Sequence, residues 1–374
     1  MPKLFIHKKI LIVPLDWGLG HATRCIPLIR LLQQIGCEVT VASYGEQLNL
    51  LKQEFPEINT TLLKGYNVRY SKLKRWLPLK ILLQGPKILL TIVREHKWLQ
   101  KIIRDFKVDM VISDNRYGLY TKQIPCIFIT HQLRIKARHA WLEILIQKIN
   151  YRYINHYDEC WVPDFDADLN LAGSLSHPAK MPAVPVKYTG PLSRFAPQKK
   201  VEKKYDYLFI ISGPEPQRTI FEKKILKIVT QLKGTIMIVR GRPNEQGDIP
   251  RASDNCTIVN HLTTEELQQA FLSGEFIIGR SGYTTIMEVL SLQKKSILIP
   301  TPGQTEQEYL AEHLMQQHWC YSCKQDDDLL SHIHKAETFQ FIFPPLNESS
   351  LPIVVEEFFN RFGIAEQRTK RTRE

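Results

Sequence analysis

The chain has 374 residues, enough for two domains of ordinary size that each bury a core. Its 43% apolar and 24% charged content is that of a globular protein, and no apolar stretch is long and clean enough to span a bilayer, since even residues 76–93 are interrupted by Lys80, Gln84, Pro86 and Lys87. The net charge of +12 sits at the front: residues 1–195 carry 28 Lys and Arg against 15 Asp and Glu, and the remainder carries 22 against 23.

Residues 9–15 form a buried-strand run, too short before Asp16 to be a signal peptide. The loop 16–20 follows, and a helix is predicted over 21–35, stopped by Gly36, then a strand over 38–43. Gly18 and Gly20 place small residues where a ligand can approach the backbone, and His21 puts a titratable imidazole at the helix start. Gly18-x-Gly20-x-x-Thr23 is only part of a dinucleotide fingerprint, and Ser43 stands where that fingerprint needs an acid. A nicotinamide dehydrogenase is therefore disfavoured.

Between residues 69 and 104, Lys72, Lys74, Arg75, Lys80, Lys87, Arg94 and Lys97 alternate with Trp76, Trp98 and many Leu and Ile, and residues 134–152 repeat the pattern around Trp141. Such segments read either as ordinary amphipathic helices or as a surface that meets anionic lipid headgroups. No nucleic-acid-binding pattern accompanies the charge, so no nucleic-acid partner is expected. Strands are predicted over 108–113, 126–130 and 159–163. Asp114 and Asn115 follow the first of these, and His131 follows the second. All three are expected at the rim of a ligand cleft, His131 being the rival to His21 as a base.

Residues 191–204 read as a linker, after which the plan repeats: a strand over 207–212, a loop with Ser212 and Gly213, a helix to about 232, and a strand over 235–240. Alternation of strand and helix in both halves implies parallel, doubly wound sheets with ligands at the strand ends. The most informative stretch runs from 275 to 309, reading strand, glycine turn, helix, strand, polar loop and helix. A helix opening at Gly282 points unpaired N–H groups at whatever lies above the strand ends, as a diphosphate requires, with Arg280 and Ser281 beside it. Thr284 and Thr285 lie in its first turn, Glu288 can accept hydrogen bonds from a ribose diol, and Gln304, Gln307 and Glu308 offer groups to sugar hydroxyls.

Seven scattered cysteines, odd in number and mostly in apolar runs, point to reduced thiols and a cytoplasmic setting. Cys320 and Cys323 have metal spacing but no second ligand pair, and Asp164-Phe165-Asp166 lies away from the donor half, so no metal and no cofactor are expected.

Taken together, the chain resembles a GT-B glycosyltransferase of the family 28 type, the group that includes the peptidoglycan lipid N-acetylglucosaminyltransferase and the galactolipid synthases. The resemblance rests on Gly18, Gly20 and His21 in the first loop and on residues 212–218, ending in Arg218, as a loose match to a second Gly-rich loop. It rests further on Arg280, Ser281, Gly282, Thr285 and Glu288, and on Gln307-Glu308-Tyr309. Asp16 and Trp17 replace two family glycines, Pro214 and Pro216 enter the second loop, and Glu308 replaces a Gln.

The resemblance implies an α/β, GT-B fold of two Rossmann-like doubly wound domains facing each other across a cleft: residues 1–195 for the acceptor, 196–350 for the nucleotide-sugar donor, and 351–374 a C-terminal helix and basic tail that can pack back on the first domain. It implies a metal-independent inverting transfer from a nucleotide sugar, UDP-linked by expectation, with His21 as the base. Arg218 and Arg240 would sit at the diphosphate, and Asn260, His261 and Leu262 at the nucleotide base. The acceptor is not identified; the basic segments make a lipid-linked one, reached peripherally from the inner face of the membrane, the expectation to test. The alternative is a nucleotide-sugar epimerase or a non-catalytic sugar-nucleotide-binding protein of the same shape.

Overall fold

Short apolar runs without a polar face become central strands of parallel sheets, because helices must cover both sides of such a sheet. The computed structural model describes residues 7–66, 85–137, 139–196, 201–242, 249–250, 252–345 and 349–364. Its elements are β1 (Lys9–Pro14), α1 (Leu19–Gln34), β2 (Glu38–Ser43), α2 (Glu46–Glu54), β3 (Asn59–Leu62), α3 (Gly85–Phe106), β4 (Met110–Asp114), β5 (Cys126–Ile129), α4 (Ala140–Ile154), β6 (Glu159–Val162) and β7 (Val186–Tyr188). There follow β8 (Tyr205–Ile210), α5 (Gln217–Ile228), β9 (Ile236–Val239), β10 (Cys256–Val259), α6 (Thr264–Ser273), β11 (Gly274–Gly279), α7 (Tyr283–Ser291), β12 (Lys295–Leu298), α8 (Thr305–Gln316), β13 (Tyr321–Ser322), α9 (Leu329–Glu337) and α10 (Leu351–Arg361).

The first sheet has the order β3-β2-β1-β4-β5-β6-β7 and the second β10-β9-β8-β11-β12-β13. Every strand pairing among the described residues is parallel, for example Ile12 with Ile112 and Ile278 with Phe209. The order reverses between β1 and β4 in one sheet and between β8 and β11 in the other. Helices diverge at such switch points and leave a crevice at the carboxyl ends of the strands. The loops that carry Gly18 to His21, Asp114, Gly213 and Gly282 all emerge there.

One apolar cluster runs through both domains, from Ile12, Ile26 and Leu28 to Leu208, Ile286 and Leu290, and takes in Phe358 and Phe359 of α10. The last helix thus belongs to the first sheet. Phe358 meets Trp161 edge-on at 5.8 Å, Arg361 donates to Glu159 at 2.9 Å, and Lys187 pairs with Glu357 at 2.7 Å.

Three local expectations change. The strand that starts at Tyr205 as expected ends at Ile210 rather than Ser212, because Ile210 is the last residue to pair, with Gly279 and Val239. The helix expected to reach about 232 is α-helical only to Ile228 and finishes in a 3-10 turn over Val229–Gln231. Residues 191–196, expected as linker, are packed: Leu192 and Phe195 are buried and Arg194 makes a salt bridge. Of the basic segment 69–104, residues 69–84, with Lys72, Lys74, Arg75, Trp76 and Lys80, lie outside the described residues, and residues 85–104 form most of α3.

Candidate active site

α1 begins at the end of β1 with Gly18 as its N-cap, at a φ of 84° that favours glycine, and no side chain caps the exposed amides. The loop is pinned by Gln47, whose Nε2 donates to the carbonyls of Leu15 and Gly18, both at 2.6 Å. One residue into the first turn, Gly20 touches the other domain. Its carbonyl accepts from Thr284 Oγ1 at 3.1 Å, and a Cβ at this position would stand 2.9 Å from that hydroxyl. A larger residue there would wedge the domains apart.

His21 comes next. Its Nδ1 lies 2.9 Å from Oδ2 of Asp114, the buried last residue of β4, and Nε2 has no hydrogen-bond partner among the described residues. Arg24 grips both Asp114 oxygens, through Nε at 2.9 Å and through a close Nη2 contact. Burial alone would raise the Asp114 carboxyl, but Arg24 and then His21 hold it below the ordinary carboxylate range. Burial and Arg24 lower the His21 pKa against the opposing pull of Asp114, so the imidazole is neutral at pH 7. A neutral histidine oriented by a carboxylate is a competent general base.

His131 is held on every side. Nε2 lies 2.6 Å from Glu306 Oε1 at the start of α8, Nδ1 lies 3.1 Å from Arg24, and the ring stacks on Tyr283 at 4.0 Å. Burial would raise Glu306, but His131 keeps its carboxyl below the ordinary range. Tyr283 also donates to the Pro163 carbonyl at 2.7 Å, and the Tyr309 hydroxyl accepts from the Ser174 amide at 2.9 Å. These contacts seal one side of the interdomain seam. Asn115 follows Asp114 with φ of 55°, and its amide donates to the Ile129 carbonyl.

On the donor side α7 has Gly282 as N-cap, again without a side-chain cap, so two uncapped helix N-termini meet at the seam. Gly282, Thr284 and Thr285 are half-buried, whereas Ser281 is buried and donates to the Gln307 carbonyl at 2.9 Å. Arg280 turns inward rather than toward the cleft: it donates to the carbonyls of Gln217 and Pro300, both at 3.2 Å, and lies over the Phe221 ring at 4.1 Å. Gln307 accepts from the Thr301 amide at 2.8 Å and Glu308 from the Gly303 amide at 3.0 Å. Gln304 caps α8 by position only.

Around the end of β9, Arg218 donates to Glu215 at 2.7 Å and Glu222 at 3.2 Å, Arg240 pairs closely with Glu222 and donates to Asn260 at 2.7 Å, and Arg242 lies 3.8 Å from both glutamates. The cluster stands next to the loop that carries half-buried Ser212 and exposed Gly213. Leu262 packs on the core, and burial together with Arg194 lowers the pKa of His261. Glu288 is buried, and burial raises its carboxyl against the pull of Arg194, which donates to it at 2.7 Å. Among the described residues no three His, Cys, Asp or Glu gather as metal ligands, and the Asp164 carboxylate is taken up by the amides of Leu171 and Ala172.

Sequence reasoning missed Arg24, Glu306, Arg194 and Tyr283. Arg24 had a legible signal, since it stands three residues after His21 on a helix and so shares its face.

The profile for the glycosyltransferase family 28 C-terminal domain matches residues 208–338, and that for glycosyl transferase family 1 matches residues 9–154. A glycosyltransferase of Methanosarcina acetivorans, not further characterised, is 26% identical over 328 residues, 80% of this chain and 81% of the relative. The UDP-N-acetylglucosamine–N-acetylmuramyl-(pentapeptide) pyrophosphoryl-undecaprenol N-acetylglucosamine transferase of Glaesserella parasuis is 22% identical over 83% of both chains. The chain is a family 28-like glycosyltransferase. Its GT-B fold is shared with the kitacinnamycin glycosyltransferase, at a TM-score of 0.62, 14% identity and coverage of 95% and 99% of the two chains. MurG of Acinetobacter baumannii has the same fold at a TM-score of 0.53, 16% identity and coverage of 88% and 92%. Between transferase and epimerase, the relatives favour the transferase.

Proposed function

We propose that this glycosyltransferase moves a sugar from a nucleoside-diphosphate donor to an acceptor hydroxyl with inversion, His21 acting as the base. The observation that carries the reading is the His21–Asp114 pair at the N-terminus of α1, 2.9 Å apart and next to the Gly20–Thr284 contact with α7. His21 Nε2 takes the acceptor proton, the freed oxygen attacks the anomeric carbon, and the bond to the diphosphate breaks with its electron pair leaving on phosphate. The uncapped amides of α7, together with Arg218, Arg240 and Arg242, meet the leaving group. No metal enters this scheme. The related transferase whose name specifies UDP-N-acetylglucosamine supports a UDP-linked donor, whereas VinC was solved with dTDP.

For the acceptor, a lipid-linked or membrane-associated molecule has support from two exposed apolar stripes. They are Leu89, Leu90 and Val93 on α3, and Trp141, Ile144, Leu145 and Ile149 on α4, with Lys87, Arg94, Lys97 and Lys148 exposed beside them. No described helix is long and apolar enough to cross a membrane, so the proposed attachment is peripheral.

A thermal-shift screen of UDP- and dTDP-sugars tests the donor: one present at 100 times its Kd adds about 2.7 kcal/mol of stability. The active donor then goes into an assay with and without membrane lipid, with NMR of the product anomer. Retention of configuration would overturn the mechanism. Equal turnover without lipid, together with equal sedimentation on neutral and anionic vesicles, would remove the membrane acceptor.

A further inference from the structure

Arg24 follows His21 by three residues, so α1 carries both side chains on one edge. The guanidinium is buried and fully committed. Nε and Nη2 hold the two oxygens of Asp114, Nη2 also lies 2.8 Å from His21 Nδ1, and Nη1 lies 3.1 Å from His131 Nδ1. His131 is itself fixed by Glu306 and by the stack on Tyr283. The cation therefore has no freedom to swing away.

This geometry makes opposite demands on one nitrogen. A buried carboxylate 2.9 Å from Nδ1 favours the imidazolium and pulls the His21 pKa upward. A protonated histidine cannot accept a proton. A fixed cation 2.8 Å from the same nitrogen disfavours the imidazolium, and by occupying both carboxylate oxygens it weakens the pull of Asp114.

We propose that Arg24 is a positioning residue for the base: clamped between Asp114, His21 and His131, it offsets Asp114 so that the imidazole stays oriented yet unprotonated. The groups that face His21 are Asp114 from the end of β4, His131 from the loop after β5, Glu306 from the start of α8 and Arg24 from its own helix. Burial and Arg24 act on His21 in the same direction, against Asp114. The inference rests on the reading of His21 as the base and adds a residue that never touches the acceptor.

The test follows the imidazole directly, without needing the acceptor. The full chain is labelled with ¹⁵N-histidine, the His21 signals are identified by their loss in His21→Asn, and the pH is varied. In the unaltered protein His21 should gain its proton below the ordinary histidine value of 6.5. Arg24→Gln should move that midpoint upward, and Arg24→Lys, which keeps the charge, should move it less. A midpoint at or above 6.5 in the unaltered protein overturns the proposal whether or not either variant folds. So does an unchanged or lowered midpoint in Arg24→Gln, or a Lys variant displaced as far as the Gln variant, which would assign the effect to packing. Activity of His21→Ala is a separate readout. Retained turnover with the expected titrations would sink the base assignment and leave the role of Arg24 intact.

Discussion

The two sheets end in buried ionic clusters of opposite construction. At the first sheet Asp114, Arg24, His21 and His131 come from three segments of one domain, and Glu306 reaches across from the other. At the second, Arg218, Arg240, Arg242, Glu215 and Glu222 all belong to the C-terminal domain and include no imidazole. Only the first cluster can change its charge near neutral pH, because histidine is the side chain that titrates there. Only the first depends on the domains being in contact. The second is built of guanidinium groups and carboxylates, and in the proposed mechanism its arginines face the charge that develops on the leaving diphosphate. In the proposed mechanism proton transfer and charge neutralisation fall to different domains, and each cluster can be attacked separately.

The largest separation is expected in turnover. His21→Ala should lower it by about 10²–10⁴-fold while donor affinity measured by calorimetry stays near that of the unaltered protein. If the variant stays active, the first cluster is structural and the contrast collapses. Arg240→Leu attacks the other side and should leave the pH dependence of the rate alone. Because it removes one partner of buried Glu222 while Arg218 remains at 3.2 Å, it should cost about 1–3 kcal/mol in denaturant unfolding. A loss of less than about 1 kcal/mol would mean that Glu222 has found water and the cluster is open.

Glu288 belongs to neither cluster and is paired with Arg194. Glu288→Ala should weaken nucleotide-sugar binding by about 1.5–3 kcal/mol if its carboxylate reaches the ribose. Unchanged affinity with lowered stability would reduce it to the partner of Arg194. The smallest effect is in stability against pH. The folded pKa of His21 is lowered, so between that value and 6.5 the unfolded chain binds the extra proton and stability falls as pH falls. The slope is at most about 1.4 kcal/mol per pH unit for this one group and should vanish in His21→Asn.

Much of the fold was legible because parallel strands leave a strong mark: the runs 38–43 and 126–130 stand in the structure as Glu38–Ser43 and Cys126–Ile129. The opening of α7 at Gly282 was equally clear, since a strand, a glycine turn and an apolar helix face follow one another directly. What resisted reading was pairing at long range. Arg24 and Asp114 are 90 residues apart, Arg194 and Glu288 94, and His131 and Glu306 175. Local periodicity carries no information about such partners. For that reason Arg280 and Ser281 read as ligand-facing in the sequence, while the structure commits Arg280 to the Gln217 and Pro300 carbonyls and Ser281 to that of Gln307. Arg194 read as linker because its surroundings are polar and proline-bearing, although its neighbours Leu192 and Phe195 are buried.

The return of α10 to the first sheet has a consequence for the order in which the protein is made. Trp161 and Glu159 emerge from the ribosome roughly two hundred residues before their partners Phe358 and Arg361 do. Throughout that interval the first sheet lacks part of its cover, and the buried tryptophan must wait for an aromatic neighbour at the far end of the chain. Synthesis of α10, not completion of the first sheet, is therefore the step that closes the N-terminal half.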